Sequence, residues 1–212
     1  MKDTNIKPSL RISHIVYGRI AVGNKVTYLI APSGADEKRA IPETVVLSRW
    51  RKRKFPGYVF SGSRLSSTFW RAIALAFGAD ARSISKLSQE EIQQVLENKR
   101  NILKSNGFLT LPNAETLHAI ILISSTNRLQ QMIDRHISEA HKGKSGVPDL
   151  FLFARSVVDK KITMGRFVEV KKPEEPLSKA QIEELHFMNS LGFNARVLRL
   201  IERVQPSKKS KS

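Results

Sequence analysis

Three residues have types and spacing that could do phosphate chemistry: Asp149, Glu169 and Lys171. Asp149 closes the turn Gly146-Val147-Pro148-Asp149, where a glycine and a proline set its direction, and the apolar run Leu150-Phe151-Leu152-Phe153-Ala154 follows. Glu169 and Lys171 sit in Arg166-Phe167-Val168-Glu169-Val170-Lys171. Both runs read as short, largely buried strands. Alternate side chains of a strand share a face, so Glu169 and Lys171 point one way and Val170 points into the core. Pairing the two strands brings Asp149 within reach of Glu169. Two carboxylates about 4 Å apart repel by roughly 4 kcal/mol at an effective dielectric of about 20, so one must be protonated or a cation must stand between them. Oxygen ligands suit Mg²⁺ and Mn²⁺, and a lysine on the same edge can hold or polarise an attacking water beside a phosphate. The competing reading of these three residues alone is a strand end with ordinary surface charges.

The elements that follow bear on that choice. Ser178 with Gln181 forms a capping box, Leu185, Met188 and Leu191 recur at helical spacing, and Gly192 is a C-terminal stop. The chain then resumes as a strand over Ala195-Arg196-Val197-Leu198-Arg199-Leu200. This order, GVPDL … FVEVKKPEEPLSKAQ … LGFNARVLRL, closely resembles the virus-type replication-repair nuclease (VRR-NUC) domain over residues 146–200. That domain is a branch of the PD-(D/E)XK nucleases. The resemblance implies an α/β (α+β) fold, a restriction-endonuclease-like core of a mixed central sheet flanked by helices.

Composition agrees with an anionic partner. The 212 residues suffice for one domain of fair size or two small ones, and an apolar fraction of 41% is that of a globular protein. Lys+Arg 36 against Asp+Glu 19 leaves a formal net charge of +17, the electrostatic footprint of a nucleic-acid partner. No stretch reads as a basic amphipathic membrane anchor, no apolar run approaches the ~18 residues of a membrane helix, and the polar start is no signal peptide. The expected location is the cytoplasm or nucleoid, or the nucleus for a eukaryotic source. With no cysteine there is neither disulfide nor thiolate zinc site. The five histidines (14, 118, 136, 141 and 186) form no metal-ligand spacing, and each reads as a surface or helix residue.

Along the chain, residues 1–8 read as a loose start. Two strand-like runs, Leu10–Tyr17 and Lys25–Ile30, flank the turn dipeptide Gly23-Asn24 and predict a β-hairpin that either packs on the sheet, the preferred reading, or binds DNA. A helix begins near Pro42-Glu43, with Val45, Val46 and Trp50 as its apolar stripe. Arg49, Arg51, Lys52, Arg53 and Lys54 make its last turn strongly basic, beyond what a helix C-terminus needs, and predict phosphate contact. Phe55 to Ser63 reads as a turn-rich connection, followed by an apolar core helix over about 66–77 ended by Gly78. A capping box at Ser88 and Glu91 opens a third helix to near Gly107, and Asn113 opens more helix to about Gly143, broken near 124–127. Residues 206–212 read as a disordered Lys/Ser tail. The expected organisation is a hairpin extension over 1–40, a nuclease domain over 41–204 with a helical insertion over about 79–143, and a basic tail over 205–212.

The N-terminal half, PETVVLSRWRKRKFPGYVFSGSRLSSTFWRAIALAF, resembles the opening helices of the nuclease domain in the Fanconi-anaemia-associated nucleases. There a glutamate of the first helix completes the metal site, a position matched by Glu43. The loop that often carries a glutamate in that family reads Ser61-Gly62-Ser63 here. The combined resemblance implies a Mg²⁺- or Mn²⁺-dependent phosphodiesterase. In it Asp149, Glu169, the carbonyl of Val170 and Glu43 hold metal, Lys171 orients water or stabilises charge on the phosphate, and Gln181 positions the lysine or the strand. The helical insertion points to branched DNA with a 5′ flap and to a monomer. The alternatives are a dimeric Holliday-junction resolvase of the same family and a non-cutting DNA-binding protein that has kept the fold.

Overall fold

The computed structural model describes residues 10–17, 20–21, 27–29, 39–105, 111–138 and 146–202. In chain order these are β1 (Ile12–Tyr17), β2 (Ile20–Ala21), β3 (Thr27–Leu29), β4 (Arg39–Ala40), α1 (Pro42–Arg51), β5 (Tyr58–Arg64), α2 (Phe69–Phe77), α3 (Gln89–Ser105), α4 (Ala114–Ile123), α5 (Thr126–Ile137), β6 (Leu150–Ser156), β7 (Ile162–Lys171), α6 (Lys179–Ser190) and β8 (Ala195–Glu202). A 3-10 helix joins α2 to α3 over residues 78–86. None of the described helices is long and apolar enough to cross a membrane. The loose start, the Gly23-Asn24 turn, the ends near Gly107 and Gly143 and the Lys/Ser tail all fall outside the described residues.

The main sheet is mixed, in the order β1-β8-β7-β6-β5. β5, β6 and β7 run antiparallel, while β7–β8 and β1–β8 are parallel. A smaller sheet takes the order β2-β3-β4. The N-terminal hairpin therefore uses a different first strand from the one the sequence pattern suggests. Ile20–Ala21 pairs antiparallel with Thr27–Leu29, and Ile12–Tyr17 instead joins the main sheet as its parallel edge. Parallel pairing with β8 leaves no mark in local sequence.

A second difference lies at Tyr58–Arg64, which is not a turn-rich connection but the other edge strand of the main sheet. Gly62 is required by close approach: a Cβ there would stand 2.4 Å from the carbonyl oxygen of Phe151 on the neighbouring strand. The turn signals are confined to Pro56-Gly57, where Tyr58 N–H donates to the Phe55 carbonyl (3.1 Å) and Gly57 takes φ +80°. Those are the requirements of a turn with proline and glycine at its centre.

Alternation along the strands divides the core in two. Leu150, Leu152, Ala154, Val168 and Val170 face α1, meeting Val45, Val46, Leu47, Trp50 and Phe60. Phe151, Phe153, Phe167, Ala195 and Val197 face the other way, into the large cluster built by α2 to α6. The Trp50 indole N–H ties α1 down by donating to the carbonyls of Ser61 (2.9 Å) and Phe153 (3.1 Å). Gly165 lets α4 close on the sheet, since a Cβ there would meet Ile123 and Phe151 at 2.7 and 2.9 Å. The helix signals hold at their caps. Asn113 and Ser125 each accept from an N3 amide, and Ser88 with Glu91 and Ser178 with Gln181 close full capping boxes. The second helix begins at Phe69, three residues later than the pattern suggests, because the Ser66 hydroxyl is spent accepting from the Thr68 amide.

Candidate active site

The pairing register sets the site. Leu150 pairs with Val168, so Asp149, one step before β6, stands opposite Glu169. The carboxylate of Asp149 accepts from the Val170 amide (2.8 Å), and its own carbonyl accepts from the Leu65 amide (2.8 Å), locking the turn to both neighbouring strands. Gly146 is needed for this turn to lie against α6, because a Cβ there would fall 2.6 Å from the Ala180 carbonyl oxygen.

Glu169 and Lys171 share a face of β7 and are 2% and 5% exposed. Lys171 Nζ lies 3.2 Å from Glu169 Oε1 and 3.3 Å from Glu175 Oε1. Gln181 donates to the same Glu169 oxygen. Its own Oε1 accepts from the Ser178 amide (2.9 Å), so the capping box that starts α6 also aims this side chain. Glu175 receives the Lys172 amide (3.1 Å), and Arg199 pins the loop by donating to the carbonyls of Lys172 (3.0 Å) and Glu175 (2.8 Å). Glu174 takes the left-handed conformation (φ +58°) in that loop.

Glu43, in the first turn of α1, joins Asp149, Glu169, Val170, Lys171 and Gln181 in one cleft of about 460 Å³, to which Arg64, Lys172 and Glu175 also contribute. Its Oε2 is buried without a hydrogen-bond partner. Burial pushes the Asp149 carboxyl up to about 6, and the nearby charge of Glu43 raises it further against the Val170 amide and Lys171. Burial and the Asp149 charge push Glu169 up to about 7. Acids held this far above their ordinary range are short of positive charge.

The donor set fits a hard divalent cation. Only oxygen ligands reach the cleft, one of them an orphaned carboxylate oxygen, and two acids are destabilised as anions. Among the described residues no group of three or more His, Cys, Asp or Glu side chains stands, as placed, so as to hold a metal ion. Glu169 Oε1 is already engaged by Lys171 and Gln181. The arrangement is an open, one-sided set.

The basic cluster is divided. Arg49 and Arg51 lie in the last turn of α1, while Lys52, Arg53 and Lys54 follow it. Arg51 donates to the Gly62 carbonyl (2.6 Å), and Arg53 stacks 5.2 Å from the rings of Trp50 and Phe60, so both also brace the sheet. Lys52 and Lys54 are exposed.

Sequence reading misses a buried ionic group beneath the site. Glu184 of α6 is fully buried and meets Arg135 (2.9 Å) and His136 (2.7 Å) of α5. These hydrogen bonds and ion pairs hold the Glu184 carboxyl below its ordinary range despite burial. His136, read as a surface or helix residue, is helical but only 4% exposed. The partners are 48 and 49 residues apart, and nothing local announces them.

The family model of the VRR-NUC domain matches residues 85–200. No curated protein matches the chain. Among solved structures, a crystal structure of paFAN1 bound to 2-nt 5′-flap DNA with a gap aligns with TM-score 0.55 at 15% identity, over 94% of this chain and 39% of that one. A second, of paFAN1 bound to 1-nt 5′-flap DNA with a gap, aligns with TM-score 0.50 at 15% identity, over 93% and 39%. The chain thus spans about two fifths of the length of those proteins, and the likeness is one of fold.

Proposed function

This chain belongs to the VRR-NUC domain family, and from that premise we propose that it is a metal-dependent, structure-specific DNA nuclease cutting branched or 5′-flap DNA. The observation that carries the reading is the convergence of Glu43, Asp149, Glu169 and Lys171 on one cleft. Asp149, Glu169, the Val170 carbonyl and Glu43 are the groups that would hold one or two Mg²⁺ or Mn²⁺ ions. Bound there, the ion lowers the pKa of a coordinated water and offsets the charge that builds on the phosphate.

The remaining work falls to the chain. Lys171 donates from Nζ to the attacking water or to a non-bridging phosphate oxygen as the new P–O bond forms and the scissile one breaks. Glu175 and Gln181 act as positioning residues, holding Lys171 and Glu169. The cations Arg49, Arg51, Lys52, Arg53 and Lys54 supply phosphate contacts, consistent with a net charge of +17. The preference for a 5′ flap rests on the ligands of the two solved structures, while the monomer is expected from the helical insertion alone.

The test is cleavage of a panel of labelled DNAs (5′ flap, 3′ flap, four-way junction, blunt duplex) in Mg²⁺ or Mn²⁺. The expected result is metal-dependent cutting of the 5′ flap, abolished by Asp149→Ala, Glu169→Ala or Lys171→Ala in folded protein. Undiminished cutting by Asp149→Ala overturns the assignment. Cutting of four-way junctions alone would decide for a resolvase, and binding without cutting for a non-catalytic DNA-binding protein.

A further inference from the structure

A second cleft, of about 370 Å³, opens on the α1 face of the sheet and is lined by Arg53, Phe55, Tyr58, Phe60, Met164 and Arg166 among others. It shares no lining residue with the cleft of Asp149 and Glu169, and of its residues only Arg53 has a part in the function proposed above. Arg166 lies three residues before Glu169 on β7, roughly 10 Å along the strand, and an odd offset turns it to the opposite face.

The cleft is built around positive charge and aromatic rings. Arg53 and Arg166 both lie over the Trp50 ring, at 5.2 and 4.9 Å from its centroid. Arg196 of β8 stands close enough to be felt electrostatically, and no carboxylate is among the lining residues. Burial, then the charges of Arg196 and Arg53, lower Arg166 to about 10. Its Nε is buried without a hydrogen-bond partner. Two guanidinium groups, Arg53 and Arg166, line one cleft with no carboxylate among its lining residues, which is costly unless an anion completes them. At the mouth, the Pro56-Gly57 turn holds Phe55 and Tyr58 with ring centroids 5.6 Å apart, and these rings are 60% and 37% exposed. Exposed rings beside arginines are how proteins hold an unpaired base and its phosphate together.

We propose that this cleft is a binding subsite for one nucleotide of a single-stranded DNA arm, its base stacked on Phe55 and Tyr58 and its phosphate met by Arg53 and Arg166. The volume suits one nucleotide-sized unit. The inference rests on the nucleic-acid reading above and adds a strand-selective site separate from the metal cleft.

The test is fluorescence anisotropy in chelator, with a blunt duplex and the same duplex carrying a single-stranded arm, and with a free mononucleotide as competitor. Phe55→Ala/Tyr58→Ala is the main variant, since both rings are exposed and their loss spares the core. The expected result is about 5- to 150-fold weaker binding of the armed duplex, as for loss of base stacking, with blunt-duplex affinity unchanged. Arg166→Gln should shallow the salt dependence on the armed DNA by about 0.7. A double variant that binds armed DNA like wild type, or loses armed and blunt DNA equally, overturns the subsite. Strong competition by the mononucleotide would make the cleft a nucleotide site and overturn the strand assignment. Wild type that binds no DNA at all would instead overturn the nuclease reading.

Discussion

Glu169 Oε1 and Lys171 Nζ stand 3.2 Å apart on one face of β7, both almost wholly withdrawn from water. Four carboxylates, those of Glu43, Asp149, Glu169 and Glu175, line their cleft against three cations, Arg64, Lys171 and Lys172.

Asp149 at about 6 and Glu169 at about 7 both bind protons more tightly folded than unfolded. The folded state therefore carries more protons between about pH 4 and 7, and stability of the metal-free protein falls as pH rises through that window. Asp149→Asn should flatten the fall and stabilise the protein at pH 8 by about 1–3 kcal/mol. Melts in chelator across pH 4 to 8 check this. A flat wild-type profile, or a variant that melts lower at pH 8, would count against closely placed acids.

The buried Glu184 group predicts a stability effect remote from the cleft. Removing one partner of a buried ion pair leaves the other charge stranded, at a cost of roughly 3–5 kcal/mol. Glu184→Ala should lose about that much in chemical denaturation. It should also slow cleavage, because α6 carries Gln181 to Glu169. A loss under 1 kcal/mol would show that Arg135 and His136 find other partners.

Among the cations that end and follow α1, Arg51 and Arg53 are engaged with the sheet while Lys52 and Lys54 are exposed. Lys52→Ala/Lys54→Ala should shallow the plot of log affinity against log salt on duplex DNA by about 1.8 if both touch phosphate, with an unchanged melting temperature. Arg51→Ala should lower the melting temperature, since its guanidinium holds the Gly62 carbonyl of β5. An unchanged slope in the lysine variant would remove that segment from the DNA-facing surface.

Glu174 occupies the left-handed region at φ +58°, where a side chain costs about 1–2 kcal/mol and glycine does not. Because Arg199 fixes the loop on both sides through carbonyls, glycine there should keep its shape. Glu174→Gly is expected to gain roughly 0.5–1 kcal/mol after its own chain entropy is subtracted. A drop in melting temperature would mean that the Glu174 side chain carries an interaction of its own.

What the sequence discloses is what local chemistry encodes. The Gly146–Asp149 turn, the alternation of β7 and the Ser178/Gln181 cap are contiguous signals, and they place Asp149, Glu169, Lys171 and Gln181 in one cleft. Tyr58–Arg64 is hidden because Pro56-Gly57 and Ser61-Gly62-Ser63 mimic turn composition, whereas Gly62 answers a close approach by Phe151. The roles of Arg51 and Arg53, and the pairing of His136 with Glu184, depend on partners brought from elsewhere in the chain. A charge run looks the same whether its members reach a phosphate, a carbonyl or an indole.

The parallel pairing of β1 with β8 joins strands from near opposite ends of the described chain. Such a contact closes a very long loop, so it is expected to form late in assembly and to slow folding. Until β1 arrives, β8 is a bare edge beside β7, the strand that carries Glu169 and Lys171, and a template for another chain. Shortening the protein from its N-terminal side past Tyr17 would thus leave the cleft residues in place yet expose an adhesive edge, with aggregation the expected failure before any loss of chemistry.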